Sequence, residues 1–189
     1  MRLFVAIRPP DEATAHLDDF LDVRRSAAAY RWARPEQFHL TLAFLGEVPD
    51  YRHDELIDLL APTAARRTPV TTRIAGGGAF PHAAAAKVLW VGLDLDPDGV
   101  VELDRLAVGA RGASNQIGAR VNGMTFRPHV TIARLGRPED VTNWLRLLDA
   151  YAGPTWPVTQ IELVASHLGE GARRRPRHEI LARLPLGLR

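Results

Sequence analysis

Two hydrophobic periods run through this chain and switch irregularly. Residues 3–7 read LFVAI, a β-branched and aromatic run that stops at Pro9-Pro10, and predict a strand. Ala13, His16, Leu17, Phe20 and Leu21 then recur at helical spacing behind Asp11, a residue suited to cap, and predict a helix over 12–25. Further strand patterns lie at 38–46, 70–74, 87–93, 128–135, 158–167 and 178–184, and helical ones at 50–60, 100–113 and 138–148. Gly76-Gly77-Gly78 is expected to break the strand at 70–74 and to form a flexible connection. Strands and helices mixed without strict alternation favour an α+β fold with mostly antiparallel sheets. The length of 189 residues suits a single domain, 1–189, able to bury its own core.

An internal repeat refines this picture. Residues 38–47 read FHLTLAFLGE and residues 128–137 read PHVTIARLGR. Aligned without gaps, they share His39/His129, Thr41/Thr131, Ala43/Ala133, Leu45/Leu135 and Gly46/Gly136. Each copy runs into a proline, an acidic residue and a helical pattern, Pro49-Asp50 in one and Pro138-Glu139 in the other. The repeat predicts two pseudo-symmetric lobes, each a mostly antiparallel sheet with helices on its outer face, and a cleft between them.

The repeat also carries candidate chemistry. In a strand, residues i and i+2 share a face, so His39 lies with Thr41 and His129 with Thr131. Leu40, Leu42, Val130 and Ile132 take the other face, toward the core. Across a pseudo-twofold axis, two imidazoles and two hydroxyls would converge on one small volume. Histidine titrates near 6.5, so one ring can be neutral and take a proton from water while the other, protonated, gives one to a leaving alkoxide. The threonine hydroxyls can donate to phosphoryl oxygens, where charge sits in the transition state. That combination suits phosphoester cleavage with no metal and no cofactor. Arg134 can add positive charge, but strict alternation puts it on the face away from His129.

Composition narrows the chemistry. The chain has no cysteine, which excludes disulfides, a thiol nucleophile and Cys-based metal sites, and fits a reducing cytoplasm. The pI of about 9.5 overstates a formal net charge of only +2. Lys87 is the only lysine, and every other basic residue is arginine. With three tyrosines and no thiol, almost nothing titrates just above neutrality, so a small excess of arginine carries the pI high. A local basic run stands at Arg173-Arg174-Arg175-Pro176-Arg177-His178, expected to be a solvated loop or a contact for an RNA backbone. No leader pattern opens the sequence, and no window approaches the roughly 18 apolar residues of a membrane span.

At the paired His-x-Thr strands the sequence resembles the 2H phosphoesterase superfamily. More narrowly, it is similar to the bacterial and archaeal RNA 2′,3′-cyclic phosphodiesterases, also called 2′-5′ RNA ligases. The likeness includes the opening RLFVAI, Trp32 ahead of HLTLAFLGE, GGGAFP, VLWVGL, RPHVTIAR and the closing EILARLPL, in order. It implies a bilobal fold and metal-independent hydrolysis of a terminal 2′,3′-cyclic phosphate to a 2′-phosphate, with joining of RNA ends by a 2′-5′ bond as a second activity. It also implies His39 as general acid on the 3′ oxygen, His129 as general base on water, and Thr41, Thr131 and Arg134 at phosphate- and substrate-contacting positions. The implied partner is RNA bearing 2′,3′-cyclic phosphate ends, handled in the cytoplasm by a monomer with no obligate protein partner and no membrane. The family often has Gly-x-x-Tyr before its last strand. Here the segment is GARRRPRHEI, with His178 near the aromatic position.

Trp32 and Phe126 stand just ahead of the two motifs and divide evenly between packing and stacking on a nucleobase. Phe4, Phe44 and Trp90 read as core. His53, His82, His167 and His178 show no zinc-binding spacing, and the three glycines lack the Gly-Lys-Ser/Thr of a phosphate-binding loop. Two other functions fit the same residues. One is an RNA-end-binding module without catalysis; the other is a phosphodiesterase for a small cyclic nucleotide.

Overall fold

The opening apolar run becomes β1 (Arg2–Ile7), with five of its six residues buried, as expected of a strand covered on both faces. A computed structural model describes residues 1–119, 121, 125–170 and 176–187. After β1 come α1 (Asp11–Asp22), β2 (Arg31–Trp32), β3 (Leu40–Glu47), α2 (His53–Ala65), β4 (Val70–Phe80) and β5 (Ala86–Asp94). Then follow α3 (Pro97–Gln116), β6 (Val130–Glu139), α4 (Thr142–Asp149), β7 (Trp156–Val158), β8 (Gln160–His167) and β9 (Arg177–Pro185).

Several boundaries differ from the sequence expectation, each for a local reason. Asp11 lies inside the first turn of α1 rather than capping it, and Pro10 takes the extended cap position. α3 starts three residues early because the Asp96 carboxylate accepts the Gly99 N–H at 2.6 Å and Pro97 needs no N–H partner. Pro138 and Glu139 belong to β6 and not to a helix. Glu139 still pairs with Ala86 of β5, and α4 begins only after Asp140 accepts the Thr142 N–H at 2.8 Å.

The strands form one large antiparallel sheet in the order β7-β4-β5-β6-β3-β1-β8-β9, with β2 attached to β6. The sheet is pinched in the middle, where β3 and β6 pair only through Leu40 and Val130. On one side of that pinch the ladder is β3-β1-β8-β9; on the other it is β6-β5-β4-β7. The four helices do not stay with the strands they follow. α2 packs on β8 and β9, α3 on β3 and also on β4, and α1 and α4 on β4. α1, which follows β1, is tied to the far half through His16 Nδ1 and the Tyr151 hydroxyl, 2.9 Å apart. One buried apolar cluster, from Leu3 and Val5 through Val130 and Ile132 to Leu184, extends through both halves. Among the described residues no helix is long and apolar enough to cross a membrane.

The three glycines overturn the expectation of a break. β4 runs straight through them to Phe80, with a bulge between Ala75 and Gly77 and a positive φ of 69° at Gly76. A Cβ on Gly77 would stand 2.5 Å from Leu148 Cβ of α4. A Cβ on Gly78 would stand 2.0 Å from the Trp90 ring, which lies across it from the neighbouring strand. The glycines are therefore a packing requirement: a helix and an indole occupy the space their side chains would take. Gly78→Ala is expected to destabilise the fold by about 1–3 kcal/mol, because the indole must be displaced. Gly112→Ala, in mid-α3 where a methyl meets nothing within 4 Å, is expected to stabilise by about 0.5–1 kcal/mol. Chemical denaturation of the two variants checks both signs.

Candidate active site

The repeat reappears as repeated geometry. Residues 40–47 of β3 and the first eight residues of β6 show the same sequence of buried, half-buried and exposed positions. His39 and His129 each stand immediately before their strand. Nδ1 of His39 lies 2.7 Å from the Gln37 carbonyl, and Nδ1 of His129 lies 2.7 Å from the Arg127 carbonyl. A carbonyl oxygen only accepts, so Nδ1 carries the proton in both rings and the Nε2 lone pair is left for chemistry. The partner is two residues upstream in both copies and is a backbone atom, so any residue type at 37 or 127 can supply it.

A β-bulge decides which later residues join the histidines. In the β6–β5 ladder Thr131 faces Trp90, Ala133 faces Leu89 and Arg134 faces Val88, so Ile132 is an extra residue. In the β3–β1 ladder Thr41 faces Ala6, Ala43 faces Val5 and Phe44 faces Phe4, so Leu42 is the extra residue. An extra residue reverses the alternation beyond it. Arg134 therefore lies on the Thr131 face, correcting the expectation from strict alternation, and Phe44 lies on the Thr41 face. Both consequences are visible nearby. The Arg134 charge reaches His129 and opposes its protonation. Phe44 is 52% exposed, against the expectation that it is core.

Each ring sits in an aromatic corner. Phe4 lies 4.8 Å from His39, and His178 of β9 meets His39 edge-on at 5.2 Å. Phe4, Ala6 and Val164 form a small buried apolar cluster separate from the main core, beneath this corner. On the other side Phe80 meets His129 edge-on at 4.9 Å and Trp90 lies 5.8 Å away. Trp90 is buried as expected, with the Arg127 guanidinium over its ring at 5.5 Å. Burial pushes the His39 ring down to about 4, and the nearby His178, Arg8 and His129 push in the same direction against the Gln37 carbonyl. Burial also lowers His129, helped by Arg134 and Arg127, and lowers His178, helped by Arg8. Arg8 is held beside these rings by Glu162, a buried carboxylate 3.4 Å away that also meets Arg183 at 3.3 Å.

The structure thus brings His39, Thr41, His129, Thr131 and Arg134 onto the site face. It does not bring Trp32 there. Trp32 pairs with Ala133, its indole N–H donates to the Ala28 carbonyl at 3.1 Å, and its ring packs on Trp144 at 5.1 Å. Phe126 is half-buried against the main core, and none of its ring contacts reaches either histidine among the described residues. His178 and Arg8 also stand at the site, although no spacing or repeat in the sequence points to them. Only the family's aromatic position hints at His178. Arg173, Arg174 and Arg175 lie outside the described residues, while Arg177 pairs with Glu170 at 3.0 Å and Glu179 at 3.5 Å. His167 is engaged by Glu179 at 2.8 Å. Among the described residues no group of three or more metal-ligating side chains gathers at one point.

An α+β sheet protein with twin His-x-Thr strands meeting at its centre is the class these features define. The chain belongs to the 2′-5′ RNA ligase superfamily, whose family model matches residues 9–170. It is 33% identical to an RNA 2′,3′-cyclic phosphodiesterase of Thermus thermophilus over 89% of this chain and 83% of that one. It is 30% identical to one of Geobacillus stearothermophilus over 97% of this chain, and spans only 56% of that relative's length. Among solved structures, Escherichia coli LigT complexed with 3′-AMP superposes with a TM-score of 0.78 at 29% identity, covering 98% of this chain and 97% of that one. The Thermus thermophilus protein TT0787 superposes with a TM-score of 0.76 at 28% identity, covering 98% of each chain.

Proposed function

We propose that this chain is a metal-independent RNA 2′,3′-cyclic phosphodiesterase that opens a terminal 2′,3′-cyclic phosphate to a 2′-phosphate. The observation that carries the reading is the pair of histidines, each pinned through Nδ1 to the carbonyl two residues back and each with a threonine on its face. The relatives' shared activity supports the substrate class. In this reading residues 1–189 act as one domain whose two sheet halves flank the cleft that holds the cyclic phosphate.

His129 Nε2 takes the proton of a water as its oxygen bonds to phosphorus. The bond from phosphorus to the 3′ oxygen breaks, and protonated His39 Nε2 supplies that oxygen's proton. Thr41, Thr131 and Arg134 hold the non-bridging oxygens through the charge build-up. His39 is poorly protonated in the free protein, and the anionic phosphodiester corrects this. A negative charge beside the ring favours imidazolium and raises its pKa on binding. In-line attack requires water opposite the leaving oxygen, so the seating of the ribose selects the product.

Product analysis on an RNA ending in 2′,3′-cyclic phosphate, with and without EDTA, tests the reading. The expected product is a 2′-phosphate that resists a 3′-specific phosphatase, formed equally fast in the chelator. A 3′-phosphate would reverse the acid and base roles of His39 and His129. Loss of activity in EDTA would sink the metal-independent mechanism, and no turnover of any 2′,3′-cyclic phosphate would favour a binding module.

A further inference from the structure

β2 is only two residues long, yet its pairing with β6 sets Arg31 directly opposite Arg134. Directly opposed residues of an antiparallel ladder point to the same side. Arg31 therefore joins Arg134 and Thr131 on the site face, while Trp32 turns to the core. Both arginines are exposed, and among the described residues no carboxylate pairs with either. Two guanidiniums facing each other across a ladder repel, so their juxtaposition weakens the free fold locally. Anions bound beside the two guanidiniums relieve that repulsion.

The repeat shows that the arrangement is one-sided. An offset of 90 residues, which carries His129 onto His39, carries Arg134 onto Phe44. Phe44 is an exposed ring. The two halves therefore share their histidines and threonines but differ at this position, a guanidinium in β6 and an aromatic ring in β3; the cation near His39, Arg8, comes from outside the repeat and is paired with Glu162. With Arg134 serving the reacting phosphate, the second guanidinium, Arg31, is left to meet a further phosphate of the ligand.

We propose that Arg31 grips the phosphodiester linking the terminal nucleotide to its 5′ neighbour, beside the reacting phosphate that Arg134 holds, so that the site selects oligonucleotide ends over free cyclic mononucleotides. This rests on the reading of the chain as acting on RNA ends. Arg134 stands next to the ring that activates water and reaches the reacting phosphate. Arg31 lies one strand over on β2, about 4.8 Å across the ladder, and reaches the next anion along the chain. Guanidinium suits this task because it binds phosphate oxygens in pairs.

The test has a kinetic arm and a binding arm. The kinetic arm compares kcat/KM for a 2′,3′-cyclic mononucleotide and for a dinucleotide ending in the same cyclic phosphate. The wild type is expected to favour the dinucleotide by about tenfold or more, as one charge-assisted phosphate interaction allows. Arg31→Ala is expected to erase most of that preference, and Arg31→Lys to restore part of it. The binding arm titrates a short RNA carrying a 2′-phosphate end, by fluorescence anisotropy across salt concentrations. Arg31→Ala is expected to reduce the slope of log K against log salt by about 0.7, the value for one phosphate no longer neutralised on a single strand. Equal reductions on the two substrates, or an unchanged salt slope, would overturn the proposal. If neither cyclic phosphate is turned over, the catalytic reading fails, and the salt slope alone decides the role of Arg31.

Discussion

His129→Ala is expected to lower turnover of a 2′,3′-cyclic phosphate by about 10²–10⁴, and His39→Ala by a similar factor, with the fold retained. Each ring is fixed by a backbone carbonyl at 2.7 Å and bounded by aromatic rings, so truncation removes the proton-transfer group without removing a core side chain. The pH dependence follows from the directions of the shifts. The productive form has His39 protonated and His129 neutral. In the free protein burial lowers His39 to about 4, so the protonated form is scarce near neutral pH. His129 is also lowered, chiefly by burial, which favours its neutral form. The profile of kcat/KM, which reports the free protein, is therefore expected to be bell-shaped with its maximum on the acidic side of 6.5. The profile of kcat is expected to peak at higher pH, because the bound phosphodiester raises His39. The two limbs belong to the coupled pair of rings. Full turnover in either alanine variant, measured by product formation from a cyclic-phosphate RNA, would remove that histidine from the mechanism. A kcat/KM that climbs steadily to pH 8 would contradict the acid role of a depressed His39.

Thr131→Val and Thr41→Val are each expected to lower kcat/KM by about 10- to 10³-fold. Valine keeps the β-branched shape that a strand favours, so the change isolates the hydroxyl. Thr131 is half-buried opposite Trp90, and Thr41 is half-buried opposite Ala6, so both hydroxyls open to the site face and neither fills the core. Melting temperature is expected to change little in both variants. A loss of stability with unchanged kcat/KM would show that the threonines serve packing instead.

The two bulges mark where periodicity stops being a guide. The repeat of His-x-Thr is legible because both copies keep the same residues at the same spacing, and a period of two places i and i+2 together. Alternation puts Arg134 on the wrong face because the same period fails after Ile132, where one extra residue is inserted. No residue type announces that bulge; Ile132 and Leu42 are ordinary strand formers. Gly76-Gly77-Gly78 misleads differently. Their lack of side chains reads locally as a break, yet it answers contacts made by Leu148 and Trp90, which come from other elements of the fold. His178 and Arg8 stand beside His39 only because β1, β8 and β9 lie side by side.

The sequence by itself determined the α+β class, nearly all the helices and strands, the family resemblance and the four repeated polar side chains. Those depend on periodicity and on identical short segments, which are local properties of the chain. Tertiary structure alone decided that the strands join into one pinched sheet and that α1 crosses to the far half. It also decided that Arg134, Arg31 and Phe44 face the histidines while Trp32 turns away. Strand register is the physical reason. A one-residue shift in pairing sends every later side chain to the opposite face, and that shift is set by the partner strand, which no local pattern names.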